Sequence, residues 1–235
     1  MAWAYGATGT AATSDDARAG SGGITPALPS GVTAGQLLLW AGMRRPATGG
    51  GWDAAPAGLS EIGSTADNEL KLWGKIAGSS ESAVTFSTPE SNVVMMQTAR
   101  FTGAPASIAS IVHQIALGGS GASLVEDIDT PALTITVPET LVIYLGAASW
   151  SNWVAGTNPN SSSTIGHTNY TGTYADGWLS WSYAIQTTAA NVGASKFDST
   201  STGTHRTDSM VISLIPGASA SVVPLLQAYR SMLLR

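Results

Sequence analysis

Apolar side chains recur at every second residue along several stretches of this chain, and this spacing constrains the fold more than any other feature of the sequence. Leu179, Trp181 and Tyr183 alternate with small polar residues, which is typical of a strand with one buried face. The stretch from Leu70 to Ile76 shows the same alternation. The pattern therefore predicts a chain built from β-strands.

Further stretches rich in apolar and β-branched residues predict additional strands, and clusters of glycine, serine and asparagine separate them. These strands are predicted at 36–43, 83–87, 93–101, 133–137, 140–146 and 209–215. Many short strands joined by polar turns indicate a β-sandwich. The fold class predicted is all-β, a jelly-roll-like antiparallel β-sandwich. Apolar residues make up 43% of the 235 residues, enough to fill the core of one such domain.

The two halves of the chain resemble each other. Thr25-Pro-Ala-Leu28 recurs as Thr130-Pro-Ala-Leu133, and the apolar strand at 37–40 matches that at 141–144. A half with about four strands cannot bury its apolar face alone, so we expect both halves in one sandwich. The predicted organisation is an N-terminal arm at 1–23, a single sandwich at 24–218 with quasi-repeats at about 24–104 and 129–218, and a C-terminal helix at 219–235.

The C-terminal segment carries a helical pattern. Five apolar residues fall on one face of a short amphipathic helix, and Pro224 stands where that helix would begin. They are Leu225, Leu226, Tyr229, Met232 and Leu233. Two interpretations stay open: the helix packs on its own sandwich, or these five residues are assembly residues that dock on a neighbouring subunit.

Charge and composition argue against several partners. The net charge of −5 and the charged fraction of 11% do not suit phosphate binding, so we expect no nucleic acid partner. Without cysteine the chain has no disulfides, catalytic thiolate or cysteine-ligated zinc. The apolar runs are shorter than the ~20 residues of a membrane span, so no membrane insertion is expected. We also expect no secretory signal at the N-terminus.

Groups able to carry out chemistry are few and scattered. No G-x-S-x-G motif occurs, and the histidines lack the spacing of metal ligands. They are His113, His167 and His205. We therefore predict no enzyme activity, no catalytic residues, no metal and no cofactor. The acidic cluster Glu126, Asp127 and Asp129 leaves calcium binding open beside an unoccupied solvated loop.

Aromatic residues frame a segment rich in asparagine, serine, threonine and glycine. These are Trp150, Trp153, Tyr170, Tyr174 and Trp178. Exposed rings beside polar side chains suit the apolar faces of sugars, and they suit protein interfaces equally well. The five residues are thus candidate ligand-binding residues, for a glycan or a protein. The alternative interpretation is that the rings cover one end of the sandwich.

The order of motifs along the first half resembles that of a known group of proteins. It comprises Gln36-Leu-Leu-Leu-Trp-Ala-Gly-Met43, Gly51-Trp-Asp-Ala-Ala-Pro-Ala-Gly58, Glu69-Leu-Lys-Leu-Trp-Gly-Lys-Ile-Ala77, Val84-Thr-Phe86 and Arg100-Phe-Thr-Gly103. This order resembles the jelly-roll-like domains of structural proteins in tailed bacteriophages and related particles. Those include tail and head fibres and capsid accessory proteins.

The resemblance implies a virion component, assembled in the host cytoplasm and placed on the particle exterior. It would be a capsid decoration, head-fibre or tail-associated subunit, partnered by other virion proteins and by further copies of itself. The alternative function is a carbohydrate-binding module or host-receptor-binding protein that recognises a surface glycan. A polysaccharide-degrading enzyme is a third hypothesis, which would need two facing carboxyl groups.

Overall fold

The computed structural model describes residues 2–14, 23–46, 52, 54–65, 69–87, 91–119, 127–149, 158, 160–171, 176–197 and 206–217. In chain order the strands are β1 (Ala4–Thr8), β2 (Ala12–Ser14), β3 (Gly23–Ile24), β4 (Leu37–Pro46), β5 (Ser60–Ser64), β6 (Leu70–Ile76), β7 (Phe86–Ser87), β8 (Ser91–Thr102), β9 (Val112–Gly119), β10 (Ile128–Thr130), β11 (Leu133–Ile135), β12 (Thr140–Ser149), β13 (Ser163–Thr171), β14 (Asp176–Gln186), β15 (Ala190–Val192), β16 (Ser195–Phe197) and β17 (Arg206–Leu214). The helical structure in these ranges is one 3-10 turn at Ile108–Ser110. The all-β prediction is confirmed.

Each half of the chain builds one of the two large sheets. The first sheet has the order β1-β8-β4-β6-β5, with β2 also paired to β8, and the second has the order β13-β14-β12-β17-β9. All pairs are antiparallel. Reading the second order backwards gives the same arrangement of equivalent strands as the first. The antiparallel sandwich is therefore confirmed, whereas a jelly-roll connectivity is not, because each half keeps its strands within its own sheet.

Strand register shows how closely the halves correspond. Ala41 of β4 lies opposite Leu72 and Gln97. Leu145 of β12, at the matching place, lies opposite Trp181 and Met210. The two halves are therefore a structural repeat, in which Gln97 and Met210 are equivalent.

The central core lies between the two sheets and takes alternate residues from their strands. Leu39 and Leu72 of the first sheet, and Ile143 and Ile212 of the second, all belong to it and are fully buried. Period-two alternation places such residues on one face of each sheet. Burial of this shared face against its counterpart is what holds the repeats together.

The outer face of each sheet is also covered, which the alternating pattern did not predict. On the first sheet Trp40 and Trp73 are buried under the short β3–β7 ribbon, which contributes Phe86. On the second sheet Tyr144 is buried under the β10–β16 ribbon, which contributes Phe197. The expectation of half-buried strands was wrong here, because connecting segments fold back over both sheets.

The predicted N-terminal arm is corrected by the structure. Ala4–Thr8 forms β1, paired with β8 at the edge of the first sheet. Trp3 is 3% exposed in the central core, and its Nε1 donates a hydrogen bond to the Leu214 carbonyl oxygen at 3.1 Å. The first repeat thus begins at β1 and the second at β9, because both edge strands complete a sheet.

Candidate functional site

The edge strand β9 carries the exposed apolar surface of the described residues. It pairs with β17 in the second sheet. Ile115 is 40% exposed and Leu117 is 47% exposed, and they are the large apolar side chains on the described surface. The strand contains no Lys, Arg, Asp, Glu or Pro. Natural edge strands are usually protected from pairing by such residues, so β9 is an open edge among the strands that the structure describes.

Backbone polarity along β9 follows from its register with β17. The amide of Ile215 donates to the carbonyl of Ile111 at 2.8 Å. Every second residue of β17, counted back from Ile215, therefore directs its amide and carbonyl groups toward β9. Val211 is among them and lies opposite Ala116. Because the groups of successive residues alternate in an antiparallel ladder, the N–H and C=O of Ile115 and Leu117 point away from the sheet.

The side chains of Ile115 and Leu117 lie on the sandwich side of the sheet, opposite Ile212 and Met210. They form the rim where the two sheets meet at β5. The terminal methyl of Ile115 lies 3.3 Å from the position that a Cβ on Gly63 would occupy. The rim on this side of the sandwich is therefore apolar.

On the opposite side of the sandwich the corresponding rim is closed by a polar contact. Thr8 of β1 occupies the place that Ile115 has in β9, because their partners Ala99 and Ile212 are equivalent in the repeat. Its Oγ1 donates to the carbonyl oxygen of Ile165 in β13 at 2.8 Å. The repeat is thus asymmetric at its edges, with one rim tied by a hydrogen bond and the other exposed.

A groove of about 570 Å³ begins where β9 ends. Its lining consists of Gly118, Gly119, Asp129, Thr130, Pro131, Ala194, Ser195 and Lys196. Nζ of Lys196 lies 2.9 Å from Oδ2 of Asp127 in an exposed ion pair. The lining includes one carboxylate, whereas glycoside hydrolysis uses a pair.

A buried amide anchors one wall of this groove. Asn158 is 1% exposed, and its Nδ2 donates to Thr130 Oγ1 at 3.1 Å. The Ser195 hydroxyl donates to Asn158 Oδ1 at 2.7 Å, and the hydroxyls of Thr130 and Ser195 are 2.8 Å apart. Thr130 and Ser195 therefore hold the Asn158 side chain in the groove wall. Asn158 could not be singled out from the sequence, because it stands in a polar cluster that indicates only a turn.

The structure corrects one member of the predicted aromatic set. Trp178 is fully buried in the outer core of the second sheet, where its ring meets Phe197 edge-on at 5.8 Å. The β10–β16 ribbon covers it, so it cannot contribute to a surface platform. Tyr170 belongs to β13. Trp150, Trp153 and Tyr174 lie outside the described residues.

The remaining predicted residues have the following places. Leu225, Leu226, Tyr229, Met232 and Leu233, with the whole segment 219–235, lie outside the described residues, as do Glu126 and His205. Asp127 pairs with Lys196, and Asp129 is exposed. The described ranges contain no group of three or more His, Asp or Glu that could hold a metal ion. No helix within them is long and apolar enough to cross a membrane.

Comparison with known proteins yields no relative: no family model, no curated protein and no solved structure matches the chain.

Proposed function

We propose that the chain is a structural component of the exterior of a bacteriophage-like virion, a capsid decoration, head-fibre or tail-associated subunit that acts by assembly and binding. The observation that carries this proposal is the open edge at β9, where Ile115 and Leu117 are exposed on an uncharged strand. Exposed apolar surface next to free backbone groups is typical of a protein interface.

Two further features support an assembly role. Both broad faces of the sandwich are covered by short ribbons with buried aromatic residues, which directs contact with partners to the edges. The motif order of the first half, from residue 36 to residue 103, resembles that of phage structural proteins. This resemblance is the reason for proposing a bacteriophage-like particle.

The experiment tests for the chain on assembled particles. Particles from the cell that encodes this chain are purified on a density gradient and labelled with gold-conjugated antibody against it. We expect gold on the outside of intact particles, and mass spectrometry of the same fraction should contain the chain. Particles that lack the chain, or that bind antibody only after disruption, would contradict the proposal.

A second candidate function is glycan binding beside the groove. The favouring observation is that Thr130 and Ser195 of the groove wall hold Asn158 by hydrogen bonds. Trp150 and Trp153 precede Asn158 closely in the sequence. Hydroxyl, carboxylate and ammonium groups in the groove suit sugar hydroxyls, and indole rings such as those of Trp150 and Trp153 would suit the apolar faces of a sugar.

The Trp153→Ala variant tests this candidate. We expect it to weaken binding to any glycan that the native chain retains on an array by about tenfold, or about 1.4 kcal/mol, because a stacking ring is removed. Thr13→Ala on β2, remote from the groove, is the control. Equal binding by native chain and Trp153→Ala would remove the candidate, and so would an array with no bound glycan.

A further inference from the structure

We propose that β9 pairs with β9 of a second copy of this chain, antiparallel about Ala116, so that the two second sheets join into one continuous sheet. The inference rests on the proposed assembly function and specifies its first step. It names the surface, the partner and the register of the contact.

The backbone of β9 is arranged for this register. Centring the pair on Ala116 places Ile115 opposite Leu117 of the second copy, and Leu117 opposite its Ile115. The N–H and C=O groups of both residues point away from β17. Each such opposed pair exchanges two hydrogen bonds in an antiparallel ladder, so the four outward backbone groups of Ile115 and Leu117 on each strand are satisfied.

The side chains agree with the same register. Ile115 and Leu117 project on the sandwich side. There Ile115 would lie beside Leu117 of the second copy, and Leu117 beside its Ile115, so the apolar rim would continue across the junction. On the outer face Gln114 of the second copy would stand opposite Gly118, which lines the groove.

A second copy is favoured over a different strand because the surface is complementary to itself. A two-fold contact uses the same patch on both subunits, and β9 carries no charged residue, so no like charges oppose each other. The equivalent strand β1 offers no such surface. Arg100 packs against Gly6 in the middle of β1, and Thr8 is hydrogen-bonded to Ile165.

The affinity of this contact should be modest. One strand pair with two apolar residues on each side buries less than the ~1,200–2,000 Å² of standard stable interfaces. The full chain is therefore examined by sedimentation velocity from about 1 to 200 μM, the range in which a small interface is half-populated. We expect a monomer–dimer equilibrium.

The first variant places a charge on the pairing edge. Leu117→Lys should raise the dissociation constant at least a hundredfold, because two ammonium groups would be buried at the junction. Ala4→Lys, at an exposed position of the edge strand β1, is the matched control and should dimerise like the native chain. Circular dichroism and thermal unfolding confirm that both variants are folded.

The second variant reports the register. The chain has no cysteine, so Ala116→Cys introduces a single thiol. Residues that face each other at a two-fold axis as a non-hydrogen-bonded pair have Cα atoms ~4.5 Å apart, within disulfide range. We expect Ala116→Cys to form a disulfide dimer under mild oxidation, and Ala4→Cys on β1 to remain uncrosslinked.

Several outcomes would overturn the inference. A native chain that is monomeric throughout the concentration range would do so, as would a dimer that Leu117→Lys leaves intact, or Ala116→Cys that crosslinks no faster than Ala4→Cys. A chain that dimerises only after removal of residues 219–235 would show that this segment occupies β9 instead. A monomeric chain found on particles would refute the pairing and leave the proposed function standing.

Discussion

Single residues distinguish the two repeats where their backbones are alike. Gln97 and Met210 stand at equivalent places, yet only the amide can accept a hydrogen bond, and Trp181 Nε1 donates to it at 2.9 Å in the buried core. The residue equivalent to Trp181 in the first repeat is Leu72, which has no polar atom to satisfy. A polar pair in the central core thus corresponds to an apolar pair at the equivalent place, so neither the Trp181 indole nor the Gln97 amide oxygen is left unpaired.

Tyr144 supplies a pH-dependent test of the outer core. Burial raises its pKa from 10.0 to about 12, because the ionised phenol is poorly solvated under the β10–β16 ribbon. Folding therefore favours the neutral form, and the associated stability is present below pH 10 and lost as the pH rises through 12. Between these values the native chain should lose roughly 2 kcal/mol more free energy of unfolding than Tyr144→Phe.

The measurement is denaturant unfolding of both proteins from about pH 8 to 12. Taking the difference between the two proteins removes the contribution of the other tyrosines. Parallel pH profiles for the native chain and Tyr144→Phe would show that this phenol is not responsible.

At the scale of strands, the length and composition of an apolar stretch decide whether the sequence predicts it as a strand. The predicted strands at 93–101 and 140–146 lie within β8 and β12, since long apolar stretches flanked by turns leave little choice. The sequence of β1 predicts only an arm, because its alanine, glycine and threonine residues give no strong alternation. β9 was missed beside a glycine cluster, although Ile115 and Leu117 around Ala116 carried a visible period of two.

The candidate site was less predictable than the strands for a physical reason. Burial of Trp178 depends on Ile128 and Phe197, which are far from it in sequence and reach it only through the ribbon. A pattern of polar neighbours cannot reveal such a cover. The exposure of Ile115 and Leu117 likewise depends on how far the facing strand β5 extends.

The β-bulges in β5 and β13 give a matched pair of substitutions. Gly63 and Gly166 follow the bulge at equivalent positions. A Cβ on Gly166 would overlap the Gln97 amide, which the hydrogen bond from Trp181 holds in place. A Cβ on Gly63 would meet the flexible thioether of Met210 at 2.8 Å.

We therefore expect Gly166→Ala to lower the free energy of unfolding by about 3 kcal/mol and Gly63→Ala by about 1 kcal/mol. Urea unfolding measures both. Gln97→Ala and Gly166→Ala together should cost less than the sum of the two single losses, because the amide that overlaps the new methyl group is removed in the double variant. Equal losses at the two glycines would contradict this account of the bulges.

At the scale of the whole molecule, the fold is two like sheets joined face to face by one crossing of the chain, from Thr102 through the 3-10 turn at Ile108–Ser110 to Val112. Each sheet has its own outer core, but the central core belongs to both. The sequence repeat at Thr25 and Thr130 pointed to this duplication. It did not indicate that each half would form a separate sheet, because strand pairing is set by contacts between distant residues.

The shared core predicts that neither half is a stable monomer. A chain ending at residue 104 should be unfolded or self-associated, since Leu39, Leu72 and other central side chains would face water. Mixing residues 1–104 with residues 105–235 should restore a cooperative thermal transition, which calorimetry and near-ultraviolet circular dichroism detect. A monomeric, cooperatively folded 1–104 fragment would contradict the prediction.

The single crossing between the sheets also sets the order of events during synthesis. Every strand of the first sheet has left the ribosome before β12, the middle strand of the second, is made. For that interval the nascent chain presents an apolar layer with nothing to cover it, a state prone to capture by chaperones or by neighbouring nascent chains. Translation speed through residues 112–214 should therefore govern the yield of native protein.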